Sequence, residues 1–117
     1  TLGTGIGSAL IYDGVLVPNS ELGHLELDGR DAETWAANSA REREQLLFAD
    51  WAVRLTRYYG HLERLFSPDL FVIGGGVSKQ HEEFMPLIGV RTPIVPAALR
   101  NNAGIIGAAA LAAEHQR

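Results

Sequence analysis

The sequence has no cysteine, and it has only one lysine and one methionine among 117 residues. Without cysteine, neither a disulfide nor a thiolate metal site can form. No run of about 18 apolar residues is present and no signal peptide is visible, so the sequence offers no membrane segment. The formal net charge of −4 argues against a broad nucleic-acid-binding surface.

The residues that are present are those of a globular protein, with 46% apolar and 21% charged side chains. A chain of 117 residues is long enough for one domain that buries roughly two-thirds of its unfolded surface. We therefore expect a single domain over residues 1–117. Because the sequence begins at Thr1, without methionine and inside a predicted strand, we also expect it to be a piece of a longer protein.

The most informative stretch is Asp69–Lys79. Its first five residues predict a strand buried on both faces, and Gly74, Gly75 and Gly76 follow directly, with Ser78 as a predicted helix cap. Successive glycines let backbone N–H groups approach a ligand, although a tight structural turn is the alternative. Lys79, the only lysine, either faces an anionic ligand or is an ordinary surface residue.

A second glycine-rich stretch opens the sequence, where Gly3, Gly5 and Gly7 alternate with other residues and Thr4 lies between the first two. A predicted hairpin follows, with its turn at Asp13-Gly14, whereas the glycines of a dinucleotide-binding loop open a helix. The context therefore excludes a Rossmann loop. Two interpretations remain: a phosphate clamp formed by Thr4 and neighbouring amides, or a glycine-rich strand with a bulge.

Glu21 and His24 flank a glycine in a polar stretch that predicts a loop. A carboxylate and an imidazole at this spacing can converge on the hydroxyls of a sugar, although a solvated surface histidine is the alternative. Glu21, His24 and Glu26 are too few ligands to predict a zinc site.

The remaining chain predicts helices and one further strand. We expect a polar helix over Asp31–Glu44 capped by Asp31, and an amphipathic helix that ends at Ser67-Pro68. A helix after Lys79 should reach Leu87 or Ile88, a strand should cover Val90–Val95, and a helix over residues 103–113 should be capped by Asn101 or Asn102. The apolar residues of the amphipathic helix are predicted to form the core: Leu47, Trp51, Leu55, Tyr58, Tyr59, Leu62, Leu65 and Phe66. This order predicts an α/β domain with a mixed sheet flanked by helices.

Three ordered motifs, Thr1–Gly7, Glu21–His24 and Val72–Ser78, resemble the C-terminal lobe of ROK-family sugar kinases, in particular those that use polyphosphate. The stretches Glu21–Gly29, Phe66–Lys79 and Arg91–Gly104 strengthen the resemblance, which covers essentially the whole chain. The resemblance implies a ribonuclease H-like lobe of the actin-like/sugar kinase superfamily. It also implies that residues 1–117 are the C-terminal lobe of a two-lobe kinase whose N-terminal lobe is absent.

The activity that the resemblance implies is transfer of a phosphoryl group from polyphosphate, or from ATP, to the 6-hydroxyl of glucose. Glu21 and His24 would hold the sugar, while Gly3, Thr4 and Gly5 would contact the transferred phosphate. Gly74, Gly75 and Gly76 would flank the donor, with Lys79 as a donor contact inferred from its charge and position. Many ROK kinases have a cysteine-rich zinc motif after the histidine, and its absence here implies no zinc and leaves a third sugar-contacting glutamate open among Glu33, Glu42 and Glu44.

No aspartate of this chain has the setting of the catalytic base, which the family carries in its N-terminal lobe, so these residues alone are predicted to be inactive. The resemblance further implies Mg²⁺ that arrives with the donor, a homodimer, and a cytoplasmic enzyme without nucleic-acid or membrane partners. Two alternatives remain open: an ATP-dependent ROK glucokinase, and a ROK-type sugar-sensing transcriptional repressor.

Overall fold

The computed structural model describes residues 1–97 and shows an α/β domain of small sheets and helices, of which one helix is long. The six strands of this range are β1 (Leu10–Tyr12), β2 (Val15–Val17), β3 (Glu26–Leu27), β4 (Arg30–Asp31), β5 (Phe71–Ile73) and β6 (Ile94–Pro96). Its α-helices are α1 (Glu33–Ala36), α2 (Asn38–Arg43), α3 (Phe48–Phe66) and α4 (His81–Phe84). Three short 3₁₀ helices cover Leu22–His24, Gly76–Gln80 and Met85–Leu87. The helix predicted over residues 103–113, with its cap at Asn101 or Asn102, lies outside the described residues.

Two antiparallel hairpins have the same kind of turn. Strands β1 and β2 pair around Asp13 and Gly14, whose φ angles of 53° and 75° are both left-handed. Two consecutive left-handed residues make the turn that matches the twist of the flanking strands, so the predicted hairpin is confirmed. Strands β3 and β4 pair in the same way around Asp28 and Gly29, at φ 54° and 85°, and this hairpin was not predicted.

Strand β5 pairs in parallel with β6, with Phe71 opposite Ile94. The strand predicted at Asp69–Ile73 is therefore confirmed over its last three residues. Its expected burial on both faces is wrong, because only Ile73 of β5 is buried.

Strand β6 begins later than the predicted Val90–Val95 strand, directly after Pro93. Proline has no N–H to give to a ladder, but its carbonyl still accepts a hydrogen bond from the Phe71 amide at 2.9 Å. The expected mixed sheet is not continuous, because residues 1–97 form three separate strand pairs.

Helix α3 is the main helix of the core. Its buried side chains are Trp51, Ala52, Leu55, Tyr58, Tyr59 and Leu62, which confirms the central part of the predicted stripe. The prediction of burial is wrong at the ends of the stripe, where Leu47, Leu65 and Phe66 are 72%, 54% and 42% exposed. Leu47 precedes the helix and the other two belong to its last turn. The helix ends as predicted, at Ser67, which is left-handed at φ 47°.

The polar segment Asp31–Glu44 is not one helix. Ala37 has an extended conformation with ψ 159°, and this separates α1 from α2. The predicted cap at Asp31 is also wrong, because Ala32 takes the N-cap position and the Asp31 side chain contacts His24 instead.

The chain after the three glycines does not start an α-helix at Ser78. A 3₁₀ helix begins at Gly76, and the Ser78 hydroxyl donates a hydrogen bond to the Gly75 carbonyl at 2.8 Å. The continuous helix predicted as far as Leu87 or Ile88 is reduced to the four residues of α4. Pro86 explains the early end, since it lacks the N–H that would continue the α-helical ladder.

Both ends of the first glycine-rich stretch are anchored in the core. Leu2 is fully buried and Ile6 is 5% exposed, and both belong to the same cluster as Trp51 and Ile73. The intervening residues therefore form a loop whose two ends are fixed. Among residues 1–97, no helix combines the length and apolar character needed to cross a membrane.

Candidate functional site

The first glycine loop, defined here as Thr1–Gly7, is a compact reversal of the chain. Leu2 and Ile6 form an antiparallel bridge, and the Gly3 amide donates to the Gly5 carbonyl at 2.9 Å. These contacts bring the backbone of Gly3, Thr4 and Gly5 to the tip of the loop. The predicted strand at Thr1 is reduced to this single bridge.

The second glycine loop, Gly74–Gly76, lies against the first. The Leu2 amide donates a hydrogen bond to the Gly74 carbonyl at 3.2 Å. Gly75 has φ 92° and ψ 170°, and a Cβ atom there would lie 3.3 Å from the Leu2 amide nitrogen and carbonyl oxygen. Only glycine suits this combination of backbone angle and close approach. The structure thus brings together the two loops that the sequence singled out.

The Glu21–His24 turn packs against Ile6 of the first glycine loop. Gly23 is buried, and a Cβ atom on it would collide with the carbonyl oxygen of Ile6. The absence of a side chain at this position is therefore what lets the turn approach the loop. His24 consequently lies next to the first glycine loop.

Glu33 joins His24 to the first glycine loop. One of its oxygens accepts a hydrogen bond from the Ile6 amide at 3.1 Å, and the other lies 3.3 Å from His24 Nδ1. A Cβ atom at Gly5 would collide with the first of these oxygens, so the Glu33 side chain would have to shift to accept any larger residue there. Of the three glutamates left open by the sequence, only Glu33 contacts His24.

Glu42 and Glu44 have other partners. Glu42 accepts a hydrogen bond from Asn38 at 3.2 Å. Both oxygens of Glu44 accept from the Arg54 guanidinium at 2.7 Å, and this fork lowers the pKa of the Glu44 carboxyl. Glu42 thus bonds within α2, whereas Glu44, directly after α2, is bonded to α3.

Asp31 is a member of the site that the sequence did not indicate. Its carboxylate lies 3.2 Å from His24 Nδ1, because the β3–β4 hairpin returns the chain to the turn. One ligand atom each from His24, Asp31 and Glu33 lies within 4.8 Å of the others, which is the spacing of a metal-binding group. The residues that sequence analysis considered as zinc ligands, and judged too few, were Glu21, His24 and Glu26. The structure instead groups His24 with Asp31 and Glu33.

The Glu21 and Lys79 side chains are both exposed. Within residues 1–97 the Glu21 carboxylate makes no hydrogen bond or ion pair, and the Lys79 ammonium makes none either. Lys79 lies in the 3₁₀ helix that follows the second glycine loop, which is the position its sequence context suggested. Neither group is thus engaged by the described part of the chain.

Ser39 supports the first glycine loop from outside. Its amide donates to the Gly3 carbonyl at 3.0 Å, and its hydroxyl donates to the Thr4 carbonyl at 2.5 Å. Two carbonyl oxygens of the loop are thereby satisfied. Within the described part of the chain, the Thr4 and Gly5 amides donate no backbone hydrogen bond, so this loop can offer N–H groups to an anion. Nothing in the sequence around Ser39 indicated this role.

Tyr58 supports the Glu21–His24 turn from the core. Its hydroxyl donates to the Leu22 carbonyl at 3.0 Å. Burial, and secondarily the negative charge of Glu33, raise the pKa of the Tyr58 phenol well above its ordinary value. The phenol therefore remains a protonated donor at neutral pH.

An open depression lies at the other end of the β5–β6 pair, where both strands begin. Its lining residues are Glu63, Arg64, Ser67, Pro68, Arg91 and Thr92. The Glu63 carboxylate accepts hydrogen bonds from the Thr92 hydroxyl and amide at 2.6 and 2.7 Å, which lowers the pKa of Glu63. None of the residues predicted for the site lies here.

Comparison with known proteins identifies relatives of one kind. The chain is 50% identical over 109 residues to the polyphosphate glucokinase of Mycobacterium tuberculosis, covering 93% of this chain and 41% of that protein. It is equally identical over the same length to the polyphosphate glucokinase of Mycobacterium leprae, of which it covers 34%. No family model matches the chain.

A solved structure agrees with these relatives. The crystal structure of inorganic polyphosphate/ATP-glucomannokinase from Arthrobacter sp. strain KM superposes with a TM-score of 0.83 at 61% identity. The match covers 97% of this chain and 45% of that enzyme. The resemblance to polyphosphate-using sugar kinases drawn from the three motifs is confirmed. The chain spans less than half the length of each of these relatives.

Proposed function

We propose that this chain is the sugar- and donor-binding portion of a glucokinase that transfers a phosphoryl group from polyphosphate, and also from ATP, to the 6-hydroxyl of glucose. The observation that carries the proposal is the position of the first glycine loop. It is hydrogen-bonded to the second glycine loop through Leu2 and Gly74, and to the His24 side through Ile6 and Glu33. A phosphate at this loop would therefore lie between a sugar site and a donor site.

The sugar site consists of Glu21, His24 and Glu33 in this proposal. Carboxylate oxygens accept hydrogen bonds from vicinal hydroxyls, and a neutral imidazole can either accept or donate one. Glu33 is the third sugar-contacting glutamate because its carboxylate is 3.3 Å from His24 Nδ1, whereas Glu44 is held by Arg54. A site of this composition would reject analogues that lack the bonded hydroxyls.

The phosphate site consists of the two glycine loops. The amides of Thr4 and Gly5 would contact the transferred phosphate, whereas the Gly3 amide already donates to Gly5 and would help only by shaping the loop. Gly74, Gly75 and Gly76 would flank the donor, and the Lys79 ammonium would offset its negative charge. Phosphoryl transfer depends mainly on positioning and charge stabilisation, which these groups can supply.

The finer fold is proposed to be a ribonuclease H-like lobe, the C-terminal one of a two-lobe kinase. Two backbone hydrogen bonds support this proposal. The Gly7 amide, which precedes β1, donates to the Thr1 carbonyl, and the Leu2 amide donates to the Gly74 carbonyl, which follows β5. The β1–β2 and β5–β6 pairs would then be parts of one mixed sheet. The catalytic base would come from the N-terminal lobe, as the family resemblance implies. No aspartate side chain of residues 1–97 is hydrogen-bonded to either glycine loop.

Mg²⁺ is proposed to arrive with the phosphate donor. Magnesium prefers oxygen ligands, but the one metal-spaced group found within residues 1–97 includes the imidazole of His24 and lies on the sugar side. No residue of 1–97 is therefore assigned to the ion. A homodimeric, cytoplasmic enzyme remains a prediction that sedimentation and fractionation would check.

The proposal can be tested with a chimera. The matching 45% of the Arthrobacter glucomannokinase would be replaced by this chain. We expect the chimera to form glucose 6-phosphate with polyphosphate and with ATP, and this chain alone to form none. A folded chimera without activity beside an active parent enzyme would refute the proposal. Activity of residues 1–117 alone would refute the placement of the catalytic base elsewhere.

Matched variants connect the test to the named residues. Glu21→Gln keeps the size of the side chain but removes its charge, and Glu26→Gln makes the same change at another exposed position. We expect Glu21→Gln to weaken glucose use at least tenfold in kcat/KM, and Glu26→Gln to leave it within about twofold. Equal effects of the two substitutions would contradict the assignment of Glu21.

A further inference from the structure

The turn that holds Glu21 and His24 has little internal stability. Its two backbone hydrogen bonds run from His24 to Glu21 at 3.2 Å and from Leu25 to Leu22 at 3.3 Å. A 3₁₀ helix of three residues has poor hydrogen-bond geometry and does not persist alone. The position of this turn therefore depends on contacts from outside it.

Leu22 receives two such contacts. Its amide donates to the Ser8 hydroxyl at 3.0 Å in an exposed setting, and its carbonyl accepts from the Tyr58 hydroxyl at 3.0 Å in a partly buried one. A hydrogen bond shielded from water is stronger than the same bond in solvent. The contact from Tyr58 is thus the more important of the two.

The Tyr58 side chain is well suited to hold this carbonyl in place. It is 1% exposed and projects from the middle of the long helix α3, so its backbone is fixed. The ring packs edge-on against Tyr59, with centroids 5.2 Å apart. A rigid ring of this kind has few conformations to lose, so its hydroxyl is held at a defined point.

We infer that Tyr58 is a positioning residue of the sugar site, whose hydroxyl holds the Leu22 carbonyl and thereby orients Glu21 and His24 toward the first glycine loop. Tyr58 acts through the turn and contacts no substrate. The inference deepens the proposed function and rests on it for the roles of Glu21 and His24. The mechanical part, that Tyr58 holds the turn, does not depend on the substrate.

Tyr59→Phe provides a matched control for Tyr58→Phe. Tyr59 is the next residue of the same helix and is also buried, and its ring contacts Phe71 of β5 at 4.9 Å between centroids. Its hydroxyl makes no hydrogen bond to any residue of 1–97. Each substitution removes one hydroxyl and leaves the ring, but only Tyr58→Phe removes the bond to Leu22.

The first measurement is amide hydrogen exchange in this chain. In Tyr58→Phe we expect exchange at His24 and Leu25 to accelerate about fivefold to tenfold, the range that loss of one net hydrogen bond allows. Exchange at Leu55 and Leu62 should stay within twofold, and Tyr59→Phe should leave all four amides unchanged. Unchanged exchange at His24 and Leu25, or an equal acceleration at all four amides, would overturn the inference.

The second measurement is steady-state kinetics of the chimera described above. Tyr58→Phe should raise the KM for glucose several-fold while kcat at saturating glucose stays within about twofold, because the sugar then has to order the turn when it binds. Tyr59→Phe should match the parent chimera. A fall in kcat with unchanged KM would contradict a positioning role. A chimera that is inactive in every form would refute the proposed function, and the exchange data would still decide the role of Tyr58.

Discussion

The carboxylate of Glu33 accepts a hydrogen bond from the backbone amide of Ile6 at 3.1 Å. This bond holds the first glycine loop, because Ile6 is buried and forms the bridge that closes it. The other oxygen of the same carboxylate lies beside His24. One side chain therefore has both a structural role at the loop and a proposed role at the sugar.

The two roles of Glu33 can be separated by two substitutions. Glu33→Gln keeps an acceptor for the Ile6 amide, whereas Glu33→Ala leaves that amide without one. We expect Glu33→Ala to lower the free energy of unfolding by about 1–3 kcal/mol, the cost of an unsatisfied buried donor, and Glu33→Gln to lower it clearly less. Urea unfolding measures both. Equal losses would show that the bond to Ile6 does not support the loop.

Gly23 fixes how closely the Glu21–His24 turn approaches the first glycine loop. A Cβ atom there would collide with the Ile6 carbonyl, which belongs to the backbone and cannot rotate away. We expect Gly23→Ala to lower the free energy of unfolding by about 1–3 kcal/mol, as overpacking does. It should also move the turn away from the loop, which amide chemical shifts of Ile6 and His24 would report.

Gly60→Ala is the control for Gly23→Ala. Gly60 lies within α3, and a Cβ atom on it would have no neighbour within 4 Å among residues 1–97. Alanine is a better helix former than glycine, so this substitution should raise the free energy of unfolding by about 0.5–1 kcal/mol. Changes of opposite sign in the free energy of unfolding at Gly23 and Gly60 would distinguish steric crowding from the backbone-entropy effect of replacing glycine. Stabilisation by Gly23→Ala would disprove the close approach.

The parts of the fold that sequence analysis predicted are those determined locally. The Asp13-Gly14 turn and the amphipathic stripe of α3 are visible within a few residues of sequence, and both are present. The Asp28-Gly29 turn carries the same signal, but strands of only two residues flank it, too few for an alternating pattern. The polar helix was predicted as continuous because no residue in it marks the extended backbone at Ala37.

Sequence analysis indicated those parts of the candidate site that are marked by residue type and short spacing. These parts are Glu21, His24 and the two glycine loops. The contact of His24 with Asp31 and Glu33 depends on the β3–β4 hairpin, and no short-range pattern encodes it. The roles of Ser39 and Tyr58 were missed for another reason. Each donates to a backbone carbonyl, a group that every residue carries and that sequence therefore cannot distinguish.

Glu63 gives the chain a pH-dependent contribution to stability. The Thr92 hydroxyl and amide hold the pKa of this carboxyl below its ordinary 4.5, so the folded state binds the proton less tightly than the unfolded state. The contribution is therefore fully present above about pH 4.5 and is lost as the pH falls through the lower folded pKa. Unfolding measured at a series of acidic pH values should show a shallower pH dependence for Glu63→Gln. Glu82→Gln, at an exposed position of α4, should leave the dependence unchanged.

Trp51 connects α3 to the segment that leads to Ser39. Its indole N–H donates to the Ala36 carbonyl at 2.9 Å, and its ring contacts Phe84 at 4.8 Å between centroids. Trp51→Phe retains an aromatic ring but leaves the buried Ala36 carbonyl without its donor. We therefore expect a loss of about 2–4 kcal/mol in the free energy of unfolding, from the unpaired carbonyl and the missing volume together.

Trp35→Phe is the matched control for this loss. The Trp35 ring is half-buried and lies under the guanidinium groups of Arg30 and Arg54, and its indole N–H has no hydrogen-bond partner within residues 1–97. A phenylalanine can keep part of the contact with both arginines, so we expect a cost of about 1 kcal/mol or less. Urea unfolding should therefore rank Trp51→Phe as clearly the more damaging of the two. The reverse order would mean that surface stacking, and not the bond to Ala36, fixes the position of α1 and of the loop that Ser39 supports.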